Sequence, residues 1–176
     1  MIGVVVPVIG SAGPKGALWL WAAPDRLVDR VLPPLPDRGD MFDSAGLEVL
    51  VRTECLRLLE SKRIGRLVYT DRALPAVLPV AFAVHDGAVV VRAPEGGAAA
   101  AVRGAVVAFE VDDVDGDLRE GWTVTVVGHA TEAGDARVLS ALDELNLPVR
   151  FPDRPHHYIV IALELVSGRR IPRPAP

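Results

Sequence analysis

The chain carries one cysteine, Cys55, and two lysines, Lys15 and Lys62. A lone thiol excludes an intrachain disulfide and a cysteine-based metal cluster. The scarcity of lysine leaves arginine as the working cation. Together with the many Ala, Gly and Val residues it reports a GC-rich coding sequence rather than a mechanism. No apolar run reaches the roughly 18–20 residues that a spanning helix needs. Ile2 to Ile9 and Ala17 to Ala23 are apolar, but Gly10, Gly13, Pro14, Lys15 and Gly16 interrupt them. No basic residue precedes Lys15, which argues against a secretory signal. A net charge of -4 is too small to predict a nucleic-acid surface or a membrane patch. There is no P-loop, dinucleotide fingerprint, Ser-His-Asp order or internal repeat. A cytoplasmic location fits these absences.

What is present suits one globular domain with an extension. The chain has 176 residues, half of them apolar and 24% charged, enough to bury a core. A proline-rich stretch, Val31-Leu32-Pro33-Pro34-Leu35-Pro36-Asp37-Arg38-Gly39-Asp40, reads as a linker and runs into Met41. Residues 1–40 are therefore expected to be an N-terminal extension, either disordered or lying upstream of the natural start at Met41. A cleaved export signal is the less favoured alternative, because its basic start is missing. Residues 41–176 would form the folded domain.

Periodicity gives the elements of that domain. Thr53 to Lys62 predicts a helix, with Cys55, Leu56, Leu58 and Leu59 as its apolar stripe. Ile64 to Thr70 predicts a strand. Leu74 to Val84 predicts another, with Leu78, Val80, Phe82 and Val84 on one face and Val77, Pro79, Ala81 and Ala83 on the other. His85-Asp86-Gly87 predicts a tight turn into the strand Ala88 to Arg92. Pro94 to Gly97 reads as a loop and Ala98 to Arg103 as a short helix. Further strands are expected over Ala105 to Val111, Gly121 to Ala130 and Tyr158 to Leu163. Asp112 to Glu120 is an acidic loop. Asp135 to Leu145 fits a helix with Val138, Leu139, Leu142 and Leu145 on one face. The sum is a mainly β fold with inserted α-helices, a small barrel of short antiparallel strands.

Few residues suggest chemistry by themselves. Cys55, on an apolar stripe, reads as core rather than as a redox thiol. His85, His129, His156 and His157 lack carboxylate or cysteine partners at ligand spacing, so they read as surface or hydrogen-bonded histidines and no metal site is expected. Asp113, Asp115 and Asp117 hint at a calcium loop, but Gly116 is misplaced and no Glu closes the loop, so a solvated turn is expected. Trp122 reads as core, and Arg92 as a surface arginine. Arg169 and Arg170 would pair with the acidic loop.

Four ordered segments change that reading. They are Cys55-Leu56-Arg57-Leu58-Leu59 leading to Ile64-Gly65-Arg66-Leu67-Val68; Leu74-Pro75-Ala76-Val77-Leu78-Pro79-Val80-Ala81-Phe82 with Val91-Arg92; Val106 to Asp112 with Gly121-Trp122-Thr123-Val124 and Val127-Gly128-His129-Ala130; and Ser167-Gly168-Arg169-Arg170-Ile171. Over residues 48–171 the chain resembles the pyridoxamine 5'-phosphate oxidase-like family, especially its short actinobacterial members. Residues 1–40 have no counterpart there. The resemblance implies a six-stranded antiparallel split β-barrel of the FMN-binding type. It implies a homodimer with FMN in a groove at the interface, or a deazaflavin in some branches. The strand Pro79, Val80, Ala81, Phe82 would lie against the isoalloxazine ring. Arg92, Ala93, Gly96, Gly97 and Ala98 would hold the phosphate, Trp122 and Thr123 would line the site, and Arg169 sits in the family's terminal motif. No catalytic residue is named.

The residue chemistry agrees. Arg92 offers a guanidinium, Gly96-Gly97 offers free backbone N–H groups, and small residues such as Ala81 let the backbone approach a flat ring. The chain departs from the family at Glu95-Gly96-Gly97-Ala98, where relatives carry a lysine near Ala98. Ala93 also replaces a hydroxyl-bearing residue. The expected function is a flavin-dependent oxidoreductase acting on a small organic molecule. The basic set for a second phosphate is missing, which argues against pyridoxamine phosphate itself. A deazaflavin-dependent reductase and a non-catalytic split barrel that has lost its cofactor are the alternatives.

Overall fold

Period-two alternation decides which side of each strand is buried, and closure of the sheet turns that side into a core. The structure is a computed structural model that describes residues 42–94, 101–149 and 153–172. The N-terminal extension and Met41 lie outside the described residues, as do Glu95, Gly96, Gly97 and Ala98.

The strands are β1 (Glu48–Val49), β2 (Ile64–Asp71), β3 (Leu74–His85), β4 (Ala88–Pro94), β5 (Val106–Val114), β6 (Gly121–Glu132), β7 (His156–Ala162) and β8 (Leu165–Ile171). Among the described residues, the helices α1 (Arg52–Glu60) and α2 (Ala136–Asp143) join them. Ala101 and Val102 are also helical. All pairings are antiparallel, in the order β1-β8-β6-β5-β2-β3-β4-β7, and β6 pairs again with β7. That second pairing closes a six-stranded barrel from β6, β5, β2, β3, β4 and β7. The barrel is split because β6 changes partner along one edge. Gly121 to Val127 pairs with β8, whereas Ala130 to Glu132 pairs with β7.

Gly128 stands at the switch. A Cβ there would lie 1.9 Å from the carbonyl oxygen of Ala162 at the end of β7, so only glycine admits this approach. The β3–β4 turn is the expected one, with positive φ at Asp86 (47°) and Gly87 (70°).

The barrel interior holds Leu67, Val80, Phe82, Val89, Val91, Val107, Phe109, Val124 and Val126. Phe82 and Phe109 meet edge to face at 4.8 Å between centroids. Cys55, Leu58 and Leu59 of α1 join this core, and the Cys55 thiol donates to the Leu50 carbonyl at 3.7 Å. Burial pushes that thiol's pKa up, which favours the inert neutral form. Helix α2 starts on Asp135, whose Oδ1 accepts from the backbone N–H of Arg137 at 2.8 Å. Its Leu142, with Leu147, covers Val90 and Tyr158 on the outside of the barrel as a second cluster. Val138, expected on the apolar face, is 45% exposed, because the helix meets the sheet through Leu139 and Leu142 instead.

The other expected strands and helices are present with ends shifted by a few residues, whereas the first half of the helix expected over Ala98 to Arg103 lies outside the described residues. The terminal Ser167 to Ile171 motif, read only as a motif, is strand β8. It lies on β6 and takes β1 on its far edge.

Candidate functional site

The side chains of β3 divide as the alternation predicts. Val80 and Phe82 point into the barrel and are buried. These two can therefore meet a ligand only through their backbone. Pro79 and Ala81 face outward. They line a shallow groove of about 320 Å³ with Ile64, Val80, Pro148 and Val149. Ile64 pairs with Ala81 and Arg66 with Pro79, which places β2 beside β3 in this wall.

Arg92 follows Val91, which pairs with Phe82, so it leaves the barrel on the outer side next to Ala81. Its guanidinium carbon lies 5.5 Å from the centroid of the Tyr158 ring, directly across the β4–β7 ladder. The Tyr158 hydroxyl donates to Asp143 Oδ1 at 2.8 Å. Burial, with the Asp143 hydrogen bond, pushes the Tyr158 pKa up to about 12, so the ring stays neutral. Among the described residues, Arg92 Nε is buried without a hydrogen-bond partner, and so is His156 Nε2. An unsatisfied buried donor costs about 1–3 kcal/mol, so such atoms call for an explanation. Ala93 points inward and is 2% exposed. Gly96, Gly97 and Ala98 lie outside the described residues.

The other expected residues gather at the β8 end. Thr123 faces outward between Asp112 and Arg169 in the ladders, and its hydroxyl donates to Glu110 Oε1 at 3.2 Å. Trp122 points to the opposite side, where it packs on the core. Lys62 Nζ lies 5.8 Å from its centroid and 2.7 Å from Asp113 Oδ2. Trp122 also borders a wider groove of about 540 Å³ with Asp113, Asp115, Glu120 and Arg170. Arg169 Nε donates to Asp43 Oδ2 at 2.8 Å. Arg170 reaches Glu54 at 2.6 Å and Glu48 at 3.4 Å. The two arginines do pair with carboxylates, but with those before and inside α1 rather than with the acidic loop. The loop instead folds on itself, Asp115 Oδ1 accepting from the backbone N–H of Arg119 at 2.7 Å.

The structure thus brings Pro79, Ala81 and Arg92 together and sets Trp122, Thr123 and Arg169 apart at the β8 end. Sequence reasoning missed Pro148 and Val149, which only the tertiary fold brings to β3. It also missed His156. The available signal was its place two residues before Tyr158, on the same strand face. His157 points the other way and pairs with Glu132, as does Arg103. Burial raises the Glu132 pKa, but the hydrogen bonds from Arg103 and His157 outweigh it and leave the carboxyl below its ordinary value. His129 lies 2.8 Å from Glu164.

Comparison with known proteins places this geometry. The family model described as pyridoxamine 5'-phosphate oxidase matches residues 51–170. An uncharacterised protein of Mycobacterium tuberculosis, Rv0080, is 43% identical over 129 residues, covering 69% of this chain and 84% of the relative. The structure of a protein from Mycobacterium smegmatis, described as FAD binding, is similar with a TM-score of 0.59 at 31% identity, covering 69% of this chain and 95% of that one. A protein from Mesorhizobium loti, also described as FAD-binding, gives a TM-score of 0.56 at 26% identity, covering 70% and 97%. With the closed six-stranded barrel and a matching family model over most of its length, the chain belongs to the pyridoxamine 5'-phosphate oxidase-like family of flavin-binding split barrels.

Proposed function

We propose that this protein is a homodimeric, FMN-binding oxidoreductase acting on a small organic substrate. The observation that carries the reading is Arg92, a cation whose buried Nε has no partner among the described residues and which the β3–β4 ladder sets next to Ala81 and its wall with Pro79. A flavin phosphate would supply the missing acceptor through a charge-assisted bond. The bound flavin supplies hydride transfer, and the protein supplies position and electrostatics. Pro79 and Ala81 present a low wall that a flat ring can approach. Tyr158, fixed by Asp143, holds the Arg92 guanidinium in place. A cytoplasmic setting goes with this reading, since reducing conditions keep a lone thiol such as Cys55 free.

Support for a second copy comes from the outer sheet face. Val77, Val68, Ala108, Val127 and Leu165 form one row across β3, β2, β5, β6 and β8. Val77 and nearby Ile64 are each 58% exposed. An apolar face of this kind is what an obligate partner would bury.

FAD is the second reading, favoured by the two relatives described as binding it. The test is to purify the full chain, record its visible spectrum, release the cofactor for mass analysis, and measure mass in solution. A yellow dimer that releases FMN is the expected result. Release of FAD or a deazaflavin changes the cofactor and keeps the fold-based reading. A colourless protein that binds none of the three when added would overturn it in favour of a non-catalytic barrel.

A further inference from the structure

His156 and Arg92 leave the barrel on the same side. In the β4–β7 ladder Arg92 is opposite Tyr158, and Pro94 is opposite His156. Arg92 and His156 are therefore diagonal neighbours, with Cβ atoms roughly 7 Å apart. Both side chains bury a nitrogen that has no partner among the described residues, Nε in one and Nε2 in the other. Arg92 is a permanent donor. An imidazole bearing its proton on Nε2 is a second donor on the same face. Asp143, a carboxylate beside Tyr158, accepts the Tyr158 hydroxyl. The neighbouring histidine is used differently: His157 faces the other side of β7 and pairs with Glu132.

Arg92 Nε–H is one buried donor, and with its proton on Nε2 the His156 ring adds a second beside it, an arrangement that suits an oxygen-rich anion. We propose that Arg92 and His156 together grip a phosphoryl group. Where that group is the flavin's, the inference rests on the flavin reading above; the same chemistry would hold a phosphorylated substrate.

The test has two arms. In the first, FMN and riboflavin, which lacks the phosphate, are titrated into the full chain and into His156→Leu and His156→Gln. Loss of one charge-assisted contact should weaken FMN by about tenfold in His156→Leu. Riboflavin affinity should hardly move, and His156→Gln, which keeps an Nε2 donor, should restore most of the FMN affinity. Equal loss for both ligands, or no loss for FMN, would overturn the proposal. Thermal melting establishes that each variant is folded. In the second arm, inorganic phosphate is added without flavin while the Arg92 Nε–H and His156 ring resonances are followed by NMR. Both should shift in the parent chain, and the Arg92 shift should shrink in His156→Leu. Shifts of both without any flavin binding would reject the flavin reading and keep this one. Flavin binding with neither resonance moved by phosphate, and no effect of His156→Leu, would do the reverse.

Discussion

Arg92 and Arg169 were both expected at a cofactor, and both leave the barrel on its outer side, yet the fold treats them differently. Arg169 donates to Asp43, and its neighbour Arg170 reaches Glu48 and Glu54. Those bonds tie β8 to the segment around β1 and α1. Arg92 stacks on Tyr158 and buries an Nε that has no partner among the described residues, with His156 Nε2 in the same state nearby. The β8 end uses its cations to hold the chain to itself. The β4–β7 end leaves two buried side-chain nitrogens without a partner among the described residues. The same residue type therefore marks closure in one region and a candidate site in the other, and hydrogen-bond satisfaction is what tells them apart.

The largest test removes what the two regions share. Both hang on β6, which changes partner at Gly128, and a side chain there would meet the Ala162 carbonyl. Gly128→Val should destabilise the fold by about 3 kcal/mol or more, measured by urea unfolding. A stable variant would mean that β6 and β7 can separate without loss of the barrel.

A paired substitution goes to the contrast itself. Arg92→Ala should weaken FMN binding by about tenfold or more. Its stability should hold or rise, because an unsatisfied donor costing about 1–3 kcal/mol outweighs a cation–π contact worth about 0.5–1 kcal/mol. Arg169→Ala should lower Tm and leave FMN affinity near its original value. Equal affinity losses in the two variants would erase the distinction.

The smallest effect is at the α1 end. Hydrogen bonds from Arg57 and then Arg170 lower the Glu54 pKa from 4.5 to about 2. A depressed folded-state pKa adds stability above the unfolded value and loses it as pH falls through the folded one. The Tm gap between the parent chain and Glu54→Gln should therefore be full above about pH 4.5 and close towards pH 2. A gap that persists unchanged at pH 2 would show that Glu54 acts through packing rather than charge.

Much of the fold was legible because alternation is a local property. Leu78, Val80, Phe82 and Val84 against Val77, Pro79, Ala81 and Ala83 specified the two faces of β3 without reference to any neighbour. The Asp86-Gly87 turn was equally local. The β2–β3 turn was not: Arg72 and Ala73 both adopt positive φ, at 48° and 66°, although neither type favours it. Pairing of Asp71 with Leu74 imposes that geometry from the ladder on either side. The site was legible only in part for the same reason. Motif order named Pro79, Ala81 and Arg92, but which buried nitrogen lacks a partner depends on every atom around it.

By itself, then, the sequence determined the strand faces, the order of the motifs and the family, because these are written in spacing along one chain. The tertiary structure decided that Arg169 closes the fold while Arg92 Nε and His156 Nε2 have no partner among the described residues. Register across β4 and β7 and the arrival of Asp43 at β8 join residues far apart in sequence, and no local pattern encodes such meetings.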